Sequence, residues 1–155
     1  MKSVKKNSGS LERPEDCFVH LRVHSEYSIS DGLIKLSQLA GTTCRKGMPA
    51  VGLTDSGNLF GLMKFHRACM QAGVKPLVGS DLRVSVGGDP FLLPVLAMNQ
   101  IGYKNLLSIV SNGYVGSTDR GVVPIEDLSN YGEGLLVLSG GISGDVGSAL
   151  VRDDY

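Results

Sequence analysis

The stretch Phe18-Val-His-Leu-Arg-Val-His-Ser-Glu-Tyr-Ser28 decides how the rest of the chain is read. Phe18 to Val23 is expected to be the first strand. Side chains alternate faces along a strand, so His20, Arg22 and His24 project to one side. Three large polar groups on one face of an otherwise apolar strand are costly unless that face looks into a site. A His-x-His pair is a standard way of presenting two imidazoles to one ion. Here Arg22 stands between the two histidines, and a guanidinium has no free lone pair to give a metal. The segment reads as a metal-site strand with one ligand replaced, so the chain is either an enzyme or the remnant of one.

The bulk composition sets the frame around that strand. A chain of 155 residues with 42% hydrophobic and 19% charged residues suits one soluble domain with a real core. Lys plus Arg and Asp plus Glu both number 15. A balanced chain does not grip nucleic acid through its overall charge, because phosphate binding needs a positive surplus. Cys17, Cys44 and Cys69 are odd in number and show no CxxC spacing, as expected of reduced thiols in a cytoplasmic protein. No apolar run approaches the ~20 residues that span a bilayer, so no membrane is expected. Residues 1–16 have Lys2, Lys5 and Lys6 but no apolar run behind them. They are expected to be a disordered leader rather than a secretory signal, with one domain over 17–155.

Beyond the first strand, Ser30-Asp31-Gly32 offers capping chemistry for a helix whose apolar positions are Leu33, Ile34, Leu36, Leu39 and Ala40. Gly41-Thr42-Thr43 is poor helix sequence and is expected to fray or kink that helix. Met48 to Thr54 reads as a buried strand entering the turn Thr54-Asp55-Ser56-Gly57-Asn58. Leu59 to Ala72 reads as an amphipathic helix with Leu59, Leu62, Met63 and Met70 near helical spacing, stopped by Gly73. His66 on that helix reads as solvated. Val74 to Val86 is expected to hold one or two strands, broken around Gly79-Ser80-Asp81. Gly87-Gly88-Asp89-Pro90 is a turn. Phe91 to Met98 is a strand in which Pro94 points to an edge or a bulge.

Ile101 to Val110 is a helix, Asn112 to Val123 a loop, and Pro124 to Leu128 a short helix. Gly134 to Ser139 is a further buried strand, and Asp145 to Arg152 a last helix. The alternation implies an α/β fold with a largely parallel sheet. In such folds active groups gather at the carboxyl ends of strands. His24, Asp55 and Asp81 fall at or just past the ends of predicted strands, and Asp31 lies in the loop after the first. Singly, Asp31 could be only a helix cap and Asp55 only a turn residue. Their joint placement points to one site.

These segments resemble the polymerase and histidinol phosphatase (PHP) family, and within it the N-terminal PHP domains of bacterial DNA polymerase III alpha subunits. The resemblance is carried by Phe18 to Gly32, by Gly47-Met-Pro-Ala-Val-Gly-Leu-Thr-Asp-Ser-Gly-Asn-Leu-Phe-Gly61, by Ala72-Gly-Val-Lys-Pro-Leu-Val-Gly-Ser-Asp81 and by Gly102-Tyr-Lys-Asn-Leu106. It implies a distorted (β/α)7 barrel of the PHP type, of which 155 residues supply the first half to two thirds. It also implies a trinuclear metal site at the strand ends. Metal-competent members carry His-x-His-x-x-x-Ser, where this chain has Arg22-Val-His24-Ser-Glu-Tyr-Ser28. They carry Thr-Asp-His-Gly-Asn, where it has Thr54-Asp55-Ser56-Gly57-Asn58. His24, Asp31, Asp55 and Asp81 are thus residual ligand positions, and Arg22 and Ser56 are substituted ones.

An Arg in a cation's place is a large change. At ~4 Å and an effective dielectric near 20, a unit like charge costs about 4 kcal/mol, and a divalent ion about twice that. Carboxylates left without an ion must be paired, and Arg22 is expected to pair with Asp31, Asp55 or Asp81. The resemblance implies a structural and subunit-binding module of a DNA-directed DNA polymerase. Its partners would be the remainder of the alpha subunit, the proofreading exonuclease (epsilon) subunit, and DNA through the parent protein. No catalytic residue and no cofactor is expected in this stretch. Mg2+ belongs to the polymerase reaction of the parent, and Zn2+ or Mn2+ only to a PHP site that is still competent. Two alternatives stand beside this reading: a metal-dependent phosphoesterase or 3′-5′ exonuclease, and a metal-free phosphate or pyrophosphate pocket built on His20, Arg22, His24 and Ser28, with Ser25 as a further donor.

Overall fold

The computed structural model describes residues 18–115 and 119–152. The leader expected over 1–16 and Cys17 lie outside them. Ten elements follow in chain order: α1 (Leu36–Arg45), β1 (Ala50–Leu53), α2 (Leu62–Ala72), β2 (Lys75–Ser85), β3 (Phe91–Ala97), α3 (Gln100–Val115), β4 (Val122–Pro124), α4 (Ile125–Asn130), β5 (Leu135–Val137) and α5 (Asp145–Arg152). A 3-10 turn, Glu26–Ser28, precedes α1, and another, Gly141–Ser143, precedes α5.

The five strands form one sheet in the order β1-β2-β3-β5, with β4 attached to β2. β2 runs parallel to β1 and β4 and antiparallel to β3, and β3 is antiparallel to β5. The sheet is therefore mixed rather than largely parallel. The hairpin through Gly87-Gly88-Asp89-Pro90 is the reason, since a short turn can join only antiparallel strands. Helices flank a partial sheet, as the mixed α/β arrangement of the elements requires.

The Phe18–Val23 stretch is extended but is not a full strand. It meets β1 through one parallel bridge, His20 to Val51, and two backbone bonds, Gly52 N–H to His20 O (2.7 Å) and Thr54 N–H to Val23 O (2.9 Å). Gly52 is what admits it so closely, because a Cβ there would lie 2.3 Å from the Leu21 carbonyl oxygen. β2 is continuous through Gly79-Ser80-Asp81, where the sequence pattern points to a break. Its first half pairs with β1 from Lys75 to Val78, and from Gly79 onward it pairs with β3. The glycine marks this exchange of partners, since a Cβ on Gly79 would meet Val95 O at 2.5 Å.

Pro94 sits in an interior strand, not at an edge. Its carbonyl accepts from Leu138 N–H at 2.9 Å. The nitrogen and carbonyl of one strand residue face the same side, so the missing N–H falls toward β5, just where that pairing ends. β5 is itself an edge strand with Leu136 and Val137 nearly half exposed, not the buried strand expected over Gly134–Ser139.

Two apolar clusters fill the layers. One joins α1 and α2 to β1 through Leu36, Ala40, Val51, Leu62 and Phe65. The other lies between α3 and the β2–β3–β4 face, with Leu82, Val84, Val95, Leu106 and Ile109. Helix α1 begins at Leu36, later than the capping pattern implies, and Leu33 and Ile34 precede it. It runs through Gly41-Thr42-Thr43 without a break because Thr43 is buried and its hydroxyl bonds back to Leu39 O. On α2 the buried face is Leu62, Phe65 and Cys69, while Met63 and Met70 are exposed. Gly73 ends α2 in the left-handed conformation, as its position implies. Helix α3 extends to Val115 and β4 begins at Val122, so both ends of the loop expected over Asn112–Val123 are regular structure.

Candidate functional site

The end of β1 and the middle of β2 bring the site together. Asp55 follows β1 by two residues. Asp81 lies inside β2, at the level where β1 has ended and Ser56 makes an isolated bridge to it. His24 and Arg22 arrive on the extended segment that leans on β1, and Asp31 comes from the loop before α1.

Asp81 is fully buried, at 0% exposure. Its Oδ2 accepts a hydrogen bond from Arg22 Nε at 2.7 Å, and Arg22 Nη2 and His24 Nε2 each lie 2.7 Å from the same oxygen. The other ring nitrogen, His24 Nδ1, is 2.8 Å from Asp31 Oδ2. The imidazole thus bridges a buried and an exposed carboxylate. Of the three carboxylates named as partners for Arg22, Asp81 is the one it meets.

Asp55 lies in a separate compartment, 1% exposed. Oδ1 accepts from the Ser25 amide (2.6 Å) and the Ser28 hydroxyl (2.8 Å), and Oδ2 accepts from the Ser25 hydroxyl (2.7 Å). Ser28 Oγ in turn accepts from the Ser56 amide at 3.1 Å. The carboxylate is held by neutral donors alone, as buried anions in turns and caps often are. Asp55 is therefore more than a turn residue, and Asp31 caps no helix, since α1 has no side-chain cap.

The remaining positions are placed as follows. His20 is exposed and packs edge-on against Phe18, ring centroids 4.7 Å apart. Arg22 and His24 share a shallow opening with Asp31. The hydroxyls of Ser25 and Ser28 are committed to Asp55, so the structure turns Ser28 away from the face shared by Arg22 and His24. His66 is exposed on α2, apart from the cluster.

Two buried residues outside the expected set complete the scaffold. Ser80 Oγ donates to Asp55 O at 2.8 Å, and Asn58 Nδ2 donates to Tyr27 O (3.1 Å) and Ser56 O (2.9 Å). Asn58 tethers the turn after β1 to the 3-10 turn. The sequence signal for both was their place beside an acid, at Ser80-Asp81 and in Asp55-Ser-Gly-Asn58.

The residues present do not fit a resident metal cluster. The Asp81 oxygen that faces the cluster already has three nitrogens around it, two of them from a permanent cation. Both Asp55 oxygens are also filled. Among the described residues no group of three or more His, Cys, Asp or Glu is placed to hold an ion. Asp81 Oδ1 and Thr54 Oγ1 are buried without a partner among the described residues.

Comparison with known proteins follows the same line. The chain is similar to DNA polymerase III subunit alpha of Escherichia coli O6:H1, 47% identical over 143 residues that make up 89% of this chain. It is similar to DNA polymerase III subunit alpha of Vibrio cholerae serotype O1, 44% identical over 144 residues and 87% of this chain. It spans about 12% of the length of each of these relatives. In fold it is similar to a solved amidohydrolase from Chromobacterium violaceum, described as having bound SO4 and no metal. The TM-score is 0.50 at 21% identity, over 63% of this chain and 34% of that one. Residues 20–155 match the family described as PHP domain, and the chain belongs to the PHP family.

Proposed function

We propose that this chain is the PHP part of a bacterial replicative DNA polymerase alpha subunit, acting in the cytoplasm as a structural and subunit-binding module. Its old metal site is replaced by the Arg22–Asp81–His24–Asp31 network. The parentage is supported by 47% identity to a named alpha subunit across nearly nine tenths of the chain. The loss of metal chemistry is supported by one observation, the Arg22 guanidinium seated 2.7 Å from the buried Asp81 oxygen. A cation entering there would meet a fixed positive charge and would have to displace two charge-assisted bonds.

In this reading the network does mechanically what metal ligation does in competent relatives. It ties the segment before α1 to β2, and through His24 to the loop at Asp31. The chain by itself hydrolyses no phosphodiester and polymerises no DNA. DNA synthesis, with its Mg2+, belongs to the parent protein, and Zn2+ or Mn2+ would enter only a site with its imidazoles restored. The module supports the rest of the alpha subunit and offers a surface to the proofreading exonuclease subunit.

The test has three parts. A reading frame that continues past Tyr155 into polymerase carboxylates is expected. The purified chain is expected to carry substoichiometric zinc and manganese by mass spectrometry and to cleave no generic phosphodiester with either ion added. It is also expected to bind purified exonuclease subunit. Stoichiometric metal together with hydrolysis abolished by His24→Ala would replace this reading with the phosphoesterase one.

A further inference from the structure

Although the whole chain is electrically balanced, its α1–α2 layer is not. From Gly32 to Ser80 the bases are Lys35, Arg45, Lys46, Lys64, Arg67 and Lys75, against a single acid, Asp55. Asp55 is buried and committed to Ser25 and Ser28. All six bases are exposed, and none makes an ion pair among the described residues. Such a layer carries a positive field into solvent. We propose that it docks an acidic amphipathic helix of a partner protein, in the groove between α2, the start of α1 and the turn that begins at Glu26. The groove shares no residue with the Arg22–Asp81–His24–Asp31 network, and its use does not depend on the polymerase parentage.

The groove measures about 460 Å3. Met63, Lys64, Arg67, Ala68 and Gln71 line its long side. These positions recur at helical spacing, so they form one stripe along α2. From Met63 to Gln71 the stripe runs about 12 Å, which matches about two turns of a bound helix. Leu36 and Ser37 supply the facing wall from α1. Leu36, Met63 and Ala68 make part of the lining aliphatic. Apolar surface continues outside it, since Phe60, just before α2, is 74% exposed and Met63 is 71% exposed.

Charge and shape together select the occupant. Lys64 Nζ donates to the Tyr27 hydroxyl at 2.8 Å, which orients the ammonium and leaves it two further N–H groups. Arg67 follows three residues later on the same stripe, without a carboxylate partner among the described residues. Glu26 is the one carboxylate on the lining. Carboxylates one turn apart on an incoming helix answer Lys64 and Arg67. An apolar stripe at i, i+3, i+4 and i+7 on that helix covers Leu36, Met63 and Ala68. Exposed methionine suits such a surface, because its unbranched side chain moulds to a partner. Nucleic acid fits less well: its phosphates would satisfy the cations, but it has no aliphatic side chains to bury against the groove.

The experiment titrates the full chain with three labelled probes, read by fluorescence anisotropy and by amide-resolved NMR. The first is a synthetic helix with leucine at i, i+3, i+4 and i+7 and glutamate on both flanks. The second has the same composition in shuffled order, and the third is a single-stranded oligonucleotide. The striped peptide is expected to bind saturably, to shift Glu26 and residues 35–37 and 60–71, and to weaken as salt rises. The other two probes are expected to bind about tenfold or more weakly, a difference of about 1.4 kcal/mol. Arg67→Glu and Met63→Ser change exposed side chains and are expected to weaken the striped peptide several-fold at an unchanged urea midpoint. Lys104→Glu, on the exposed face of α3, is expected to leave its affinity unchanged. Equal affinity for the shuffled peptide, tighter binding of the oligonucleotide, an equal loss in Lys104→Glu, self-association of the free chain that Arg67→Glu abolishes, or no saturable shift overturns the proposal. Failure of the scaffold reading would register differently, as metal uptake or as an Arg22 variant of unchanged stability.

Discussion

Arg22 Nε and Nη2 both lie 2.7 Å from the same oxygen of Asp81, Oδ2, while Oδ1 of that buried carboxylate has no partner among the described residues. A free Arg–carboxylate pair prefers two parallel bonds to two oxygens. Here His24 Nε2 approaches the same Oδ2, so three nitrogens converge on one point. The guanidinium brings a permanent positive charge to that point.

Arg22→Met removes one partner of an ion pair whose other member is buried. Breaking such a pair costs about 3–5 kcal/mol when both groups are desolvated. Arg22 is partly exposed and His24 stays in place, so a loss of about 2–3 kcal/mol is expected. Urea unfolding at constant m-value measures it. Arg22→Met combined with Asp81→Leu is expected to recover part of the loss, because no uncompensated carboxylate remains. A double variant less stable than Arg22→Met would count against charge replacement.

Metal binding should be recoverable by chemistry alone. Arg22→His with Ser56→His removes the permanent cation and returns two neutral imidazoles beside His24 and Asp81. The double variant is expected to take up zinc or manganese, read by isothermal titration, while wild type does not. Ser56→His alone is expected to fail, since Arg22 still sits on the Asp81 oxygen.

The Asp55 compartment is predicted to be structural. Ser28→Ala deletes a hydroxyl that donates to the buried Asp55 carboxylate and accepts from the part-buried Ser56 amide. A cost of about 1–3 kcal/mol follows. A cycle with Asp55→Asn should show coupling of about 0.5–3 kcal/mol between the two positions. Strict additivity in chemical denaturation would contradict the geometry.

Gly52→Ala tests how the site is delivered. Its Cβ would collide with the Leu21 backbone, and a backbone cannot swing aside as a flexible side chain can. The 18–24 segment would have to leave β1 and carry Arg22 and His24 with it. Stability is expected to fall by about 2 kcal/mol or more. Amides at Gly52 and Thr54 should exchange faster with deuterated solvent, as their bonds to His20 O and Val23 O are lost.

Cys69 supplies a pH-dependent test. Burial pushes its thiol up from the ordinary 9.0 to about 11. The native state therefore keeps a proton that the unfolded chain has lost between those values. Its stability contribution is complete below pH ~9 and declines as pH rises toward ~11. Site-resolved labelling at pH 8 is expected to modify the exposed Cys44 in the folded protein and Cys69 only after unfolding.

The sequence by itself determined the chemistry of the site and its family. The departures at Arg22 and Ser56, the clustering of acids beside predicted strands and the order of the motifs all depend on residue type and short spacing, which the covalent chain carries. It also located α5 and the cores of α2, α3 and β3, where periodicity or a glycine stop is strong. The tertiary structure decided what contacts across the chain control. It chose Asp81 over Asp31 and Asp55 as the partner of Arg22, gave Ser25 and Ser28 to Asp55, and kept β2 whole by handing it from β1 to β3. It also left Met63 and Met70 in solvent, and made Pro94 an interior residue. A buried carboxylate takes the donor that packing brings within reach, and a strand lasts as long as some neighbour accepts its hydrogen bonds. Neither condition is written in local sequence.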